Sequence, residues 1–228
     1  HHAGGVNQVV ANLIRQARHS RIHSSDLMVV DYSFPVLTRI RGARPHTVRC
    51  RLPDPALLGS SPKGWIAFLA ALAASLATIP CFFKHRNVRV VNIHYLTPTS
   101  WIFALLRRLG IPQHRLVVSL HGTDLGNVEG RTVQERMSRM ALAAADLIVT
   151  PSNALRARLL EKSPQLADKT HVIHNGIDPR RISRMSSDHG AARLQSGGRR
   201  SIVTLGTFSR VKGHDLLLDA FSRIAATH

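Results

Sequence analysis

Hydrophobic positions along the chain switch repeatedly between two spacings. Val6, Val9, Val10, Leu13 and Ile14 recur at helical intervals, so a helix is expected from Val6 onward. Leu27–Asp31, Val88–Ile93, Leu116–Leu120 and Leu147–Thr150 are short runs rich in branched residues, and each predicts a strand. Val172-Ile173 and Ile202–Leu205 are shorter strand candidates. Thr97 before Pro98 reads as an N-cap with proline at the first helical position. Trp101, Leu105, Leu106 and Leu109 then form the expected buried stripe, which Gly110 and Pro112 end. Residues 132–144 carry Val133, Met137, Met140 and Ala144 on one face, the methionines reading as core filler. Ser152 predicts the cap of a helix with Leu155, Leu159 and Leu160 inside. A last helix carries Leu216, Leu217, Ala220, Phe221 and Ile224.

Strand and helix patterns alternate along the whole chain, and the strands are apolar on both faces. That combination specifies an α/β fold, with a parallel sheet covered by helices on both faces. Ligands of such sheets bind beyond the carboxyl ends of the strands. Residues 183–200 are polar and rich in Gly and Ser, which reads as a mobile surface segment near a domain boundary. Gly64–Phe83 is a 20-residue stretch without charge, flanked by Lys63 and by Lys84-His85-Arg86. Its length permits a membrane span, an interfacial helix or a buried helix. The buried helix is favoured: the stretch is Ala-rich, Pro80 lies near its end, and cations flank both sides without bias. A span would also put strands of one sheet on opposite sides of a bilayer.

Charge sharpens the picture of the partner. Lys and Arg number 31 against 13 acids, a net charge of +18. Residues 1–123 hold 15 cations against three acids, and Arg39, Arg41, Arg44, Arg49 and Arg51 form the densest run. Such a balance points to an anionic partner: nucleic acid, a phospholipid surface or a phosphorylated substrate. A solvated basic face is the plain alternative. Aromatics are only 5% of the chain, and no nucleic-acid-binding motif is present, so nucleic acid is the less favoured partner. Cys50 and Cys81 form no disulfide framework and no metal-ligand spacing. They read as free thiols in a reducing, cytoplasmic compartment. The chain opens at His1-His2-Ala3-Gly4-Gly5 and closes at Ala226-Thr227-His228, which reads as a fragment cut at both ends.

Four segments carry candidate chemistry. Gly4-Gly5 opens the first helix, where close backbone approach and free N–H groups suit a phosphate. The strand at 116–120 runs into His121-Gly122-Thr123-Asp124, at the edge where an α/β site belongs. His121 suits contact with a phosphate or sugar oxygen, or proton transfer near neutral pH; a satisfied histidine in a tight turn is the plain alternative. Asn175-Gly176-Ile177-Asp178 by itself signals a turn. Gly206 to Gly213 is a loop between a strand and a helix, with Arg210 and Lys212 placed to neutralise a diphosphate. It is not a Walker A loop, because the Gly-Lys-Ser/Thr order is missing.

In this order the pieces resemble the retaining glycosyltransferases of family 4, which have the GT-B fold. They are Gly4-Gly5-Val6, Asn92-Ile93-His94, His121-Gly122-Thr123-Asp124, Ala145-Asp146 through Pro151-Ser152, Asn175-Gly176-Ile177-Asp178, and Gly206 to Gly213 with Leu216–Phe221. The resemblance implies an acceptor-side Rossmann-like domain over residues 1–178, its first strand missing. It also implies a linker and the first strand, loop and helix of a truncated nucleotide-sugar domain over 179–228. The implied reaction moves a sugar from a nucleotide-diphosphate-sugar to a sugar, lipid or glycan acceptor, with retention. The nucleotide-sugar is then a substrate; no cofactor is expected, and no metal, since no Asp-x-Asp pair occurs. By the same resemblance His121 is the catalytic candidate, reaching the donor sugar or phosphate. Gly4, Gly5, Asp124, Arg210, Lys212 and Asn175 are the substrate-binding candidates. Gly5 and Lys212 would lie at the donor diphosphate, and Asn175 would begin the connection between domains. The basic first domain fits an acceptor at the cytoplasmic face of a membrane.

Two departures bear on this. Thr207 stands where the family often has arginine, so Arg210 would have to replace that cation. The family's paired glutamates lie beyond the last residue, so this polypeptide is expected not to catalyse transfer alone. A basic protein binding nucleic acid or anionic membrane, and a related GT-B protein such as a nucleotide-sugar epimerase, are the alternative readings.

Overall fold

The computed structural model describes residues 5–19, 27–30, 38–39, 47–50, 52–59, 61–111, 115–176, 202–206 and 208–225. The chain divides into two compact units, His1–Ile177 and Asp178–His228. The first unit is α/β and Rossmann-like, built on a four-stranded parallel sheet with flanking helices.

Helix α1 (Gly5–His19) opens the first unit and is followed by the short strands β1 (Leu27–Val30), β2 (Thr38–Arg39) and β3 (Thr47–Cys50). These three form their own sheet in the order β1-β3-β2, with β1 parallel and β2 antiparallel to β3. Helix α2 (Pro62–Arg86) leads to β4 (Val90–His94), α3 (Trp101–Arg108) and β5 (Arg115–Ser119). The short α4 (Gly126–Glu129), then α5 (Val133–Ala144), β6 (Leu147–Thr150), α6 (Asn153–Lys162) and β7 (Thr170–Val172) complete the unit. The main sheet runs β4-β5-β6-β7, each strand parallel to the next. Strands connected through helices in chain order are what an alternating pattern produces.

Burial of β5 and β6 explains why their sequences carry so few polar residues. Leu116, Val118 and Ile148 are fully buried, and Leu120 extends the ladder by donating its N–H to Val149. Ser152 caps α6 by accepting from the Leu155 N–H at 3.2 Å, as expected, with Leu155 and Leu159 in the core. Thr132 caps α5 reciprocally with Glu135.

Several sequence expectations shift. The face of α5 is rotated: Val133 is exposed and the two methionines are half-buried, while Ser138, Ala141 and Leu142 are buried. Small residues let α5 approach α3 closely, and the bulkier methionines go to the rim. Helix α3 is buried nearly all round, at Trp101, Ile102, Phe103, Ala104 and Leu106, while Leu109 is exposed. Thr97 caps a 3-10 turn, Pro98–Ser100, that leads into α3. Strand β7 starts two residues early because Thr170 and His171 pair with Ile148 and Val149.

The stretch 64–83 is helical but is not simply buried. Helix α2 buries one stripe, Gly64, Phe68, Ala71, Ser75, Ile79 and Phe83. That stripe meets α3 through the stacked pairs Phe68–Trp101 and Phe83–Phe103. Most of the residues in its apolar stretch are half-buried or exposed. An unbroken apolar run has no periodicity from which a single buried stripe can be read.

At the amino edge of the main sheet a polar brace ties the elements together. Arg107 grips Asp146 with both guanidinium ends, and Asp146 also accepts from the Leu116 N–H at 2.7 Å. Hydrogen bonding to Arg107 is the main reason the Asp146 carboxyl titrates below the ordinary carboxylate range. Lys169 donates to the carbonyls of Leu142, Ala143 and Ala145, covering the C-terminus of α5.

In the second unit, Arg210–Lys212 form a 3-10 turn before α7 (His214–Ala225). Ile202–Leu205 is not a strand: among the described residues it has no ladder partner, and Val203 and Leu205 are largely exposed. Apolar character alone cannot make a strand without a neighbour to pair with. Residues 183–200 lie outside the described residues.

Candidate functional site

The site is built where β4 and β5 end. Their parallel register sets His94 opposite Ser119, so the residues just beyond each strand emerge side by side. After β5, Leu120 is still core, and His121 is the first residue with its ring partly in solvent. Gly122 follows at φ 116, a left-handed conformation that side chains resist. That turn sends the chain back into the buried residues Asp124 and Leu125.

Asp124 organises this turn from inside. Its side chain is 0% exposed. It accepts from the N–H groups of His121 at 2.9 Å, Gly122 at 2.8 Å and Leu96 at 3.1 Å. A carboxylate enclosed by three backbone donors is satisfied without a cation. The first two donors belong to the loop after β5 and the third to the loop after β4. Asp124 therefore touches no solvent and works through the two loops it joins.

His94 and His121 meet across the strand ends. Nδ1 of His94 lies 3.3 Å from Nε2 of His121, with ring centroids 5.6 Å apart. Burial, and then the neighbouring His121, lower the His94 pKa to about 4. Burial also lowers His121, against an opposing pull from the Asp124 charge. Both rings are thus neutral at pH 7, and one N–H is shared between the facing nitrogens. Where His94 donates, His121 carries its other proton on Nδ1 and can donate to an anionic oxygen. Where His121 donates, its Nδ1 is a free acceptor for a hydroxyl.

The surrounding groups are polar and mutually held. Tyr95 takes φ 69, also left-handed, and its hydroxyl lies 3.2 Å from the Thr123 hydroxyl. Ser119 donates to Asn92, and the Asn127 amide donates to the Leu96 carbonyl. At the other end of the same edge, His174 Nδ1 lies 2.9 Å from the Pro151 carbonyl, and Asn175 and Gly176 follow in solvent. Asn175 follows β7, which lies two strands from β5 in the sheet.

Of the residues singled out in the sequence, His121 and Asp124 come together, the second from beneath. Gly5 is the first residue of α1, whose first turn has no acid; Gly4 lies outside the described residues. Arg210 and Lys212 belong to the second unit, exposed, on a turn closed by Gly213 at φ 64. Gly206 is packed there: a Cβ on it would lie 3.3 Å from the His214 ring and 3.4 Å from Lys212. Among the described residues no three His, Cys, Asp or Glu side chains are grouped to hold a metal. His94 and Tyr95 are the residues that sequence reasoning left without a role. The available signal was two histidines just past the ends of strands that are consecutive in the chain.

No curated protein matches the chain. Residues 3–181, well over half of it, match the family described as Glycosyltransferase Family 4, and the chain belongs to that family of glycosyltransferases.

Proposed function

We propose that the chain takes part in transfer of a sugar from a nucleotide-diphosphate-sugar to a lipid or lipid-linked glycan at the cytoplasmic face of a membrane, with retention. The observation that carries this reading is His121. It is a neutral, half-exposed histidine at the carboxyl end of β5, on a turn held rigid by Asp124. A neutral imidazole in a fixed position can donate to a donor-sugar hydroxyl or phosphate oxygen without adding a mobile charge. The N-terminus of α1 at Gly5 offers backbone N–H groups to the donor diphosphate. Arg210 and Lys212 supply the cations that stabilise the nucleoside diphosphate as it leaves. Asn175 begins the link toward the second unit. Asp124 serves as a positioning residue for the donor side.

Calorimetric titration with a nucleoside diphosphate and with the matching nucleotide-sugar tests the reading. Lys212→Ala should weaken both ligands by about tenfold, the cost of one charge-assisted contact. His121→Ala should weaken the nucleotide-sugar, and the nucleoside diphosphate by no more than that, an equal loss marking a phosphate contact and a smaller one a sugar contact. Binding of polynucleotides only, abolished by moderate salt, would replace the reading with a nonspecific basic protein.

A further inference from the structure

Helix α2 hides one stripe and leaves the opposite face uncovered. Along that face lie Ile66, Leu69, Ala70, Ala73, Ala77 and Cys81, all exposed. Trp65 beside them is 51% exposed, Ile66 68% and Leu69 55%. Among the described residues this is the one helix long and apolar enough to cross a bilayer. An exposed apolar face of this length marks a contact surface on a soluble unit.

Charge identifies the contact. Residues 62–86 contain no acid. Lys63 and Lys84 fall on the same side of the helix as Ile66 and Ala73, and both are exposed. The apolar row is thus closed at each end by a lysine, over about 32 Å of helix. Lysine stems lie along apolar surface while their heads reach outward. At the Lys84 end the face runs into an open apolar groove of about 500 Å³ beside Phe83, Val88 and Ile111.

We infer that the exposed face of α2 docks, parallel to the surface, on a bilayer containing anionic lipid, with Trp65, Ile66 and Leu69 in the acyl boundary and Lys63 and Lys84 at the headgroups. A second copy of the chain is a poorer occupant. Two-fold pairing of this face, parallel or antiparallel, sets lysine against lysine at both ends and brings no acid. A full span is poorer still, because Phe68, Ile79 and Phe83 would have to leave the packed core. The bulkiest residues sit in the first turns, where Phe68 stacks on Trp101 at the start of α3. That is the side on which β4 ends and His94 emerges. Docking of this kind rests on the membrane acceptor proposed above and supplies its lipid class, yet it is read without any donor.

Vesicle flotation of the whole chain tests it, using phosphatidylcholine with and without phosphatidylglycerol. The chain should float with the anionic vesicles and be released by alkaline carbonate. Trp65 emission should move to the blue, whereas Trp101 is already buried and adds no shift. The pair Ile66→Ser and Leu69→Ser should weaken binding at least tenfold. Lys63→Gln and Lys84→Gln should each weaken it about fivefold, and these exposed changes leave the core intact. Binding that ignores the serine pair, with Trp65 emission unmoved, would mean simple attraction of a +18 chain and overturn the docking face. So would resistance to carbonate, the mark of a span, or a doubled mass in solution that the serine pair abolishes. Loss of donor binding with flotation intact would sink the transferase role and leave the docking surface standing.

Discussion

The His94–His121 contact makes stability depend on pH in a defined window. His94 titrates at about 4 in the folded chain against an ordinary 6.5. The unfolded chain therefore takes up a proton more readily than the folded one. Stability is complete above the ordinary value, falls as pH drops from about 6.5 to about 4, and changes no further below that on account of this group. At pH 5 the linkage amounts to about 2 kcal/mol before screening, and to about 1 kcal/mol once the partly open ring is allowed its solvent. The perturbation is His94→Gln, which keeps a hydrogen-bonding group beside Nε2 of His121 but cannot take up a proton. Urea unfolding at pH 7 and pH 5, followed by far-UV circular dichroism, measures the difference for both chains. The wild type should lose about 1 kcal/mol more than the variant on acidification. Equal losses, within about 0.3 kcal/mol, would refute the idea that His94 is held neutral by its surroundings.

Other expectations follow from the same contacts. Asp124→Asn places an amide where three N–H groups converge, and should cost about 2 to 4 kcal/mol in urea unfolding. It should also weaken any ligand contact made by His121. Ile148→Ala empties a fully buried site in β6 and should cost about 2 to 5 kcal/mol, with the fold intact by circular dichroism. Arg107→Ala should cost about 1 to 2 kcal/mol at pH 7. Its effect should fade below the ordinary carboxylate range, because the Asp146 contribution is present at higher pH and is lost as that group protonates. An undiminished effect at low pH would assign Arg107 to packing alone.

The main sheet was legible because β5 and β6 are buried and their residues say so, while β4, at the sheet edge with Val90 exposed, was legible from its branched residues alone. The face of α5 was not, since hydrophobicity ranks methionine above Ser138 and Ala141, whereas close approach of α3 favours small residues. The two-sided character of α2 was equally hidden: Ile66 and Ile79 look alike in a sequence, and only packing distinguishes them. Asp124 reads as a ligand-facing acid because it follows His121-Gly122-Thr123. Its inward course depends on the left-handed Gly122, which no periodicity reports. The histidines at two successive strand ends were there to be read, but their contact became visible through strand pairing, which brings residues 27 positions apart together.

The Asp124 carboxylate has one further consequence. By holding Leu96 on one loop and His121 and Gly122 on the other, it couples from beneath two strand ends that the histidine rings and the Tyr95–Thr123 contact join from above. The floor beneath the histidines then behaves as a single stiff plate. A ligand settling on it gives up its own freedom but takes little from the protein. The amide hydrogens of Leu96, His121 and Gly122 should accordingly be among the slowest in any loop of the chain to exchange with solvent, with or without a ligand present.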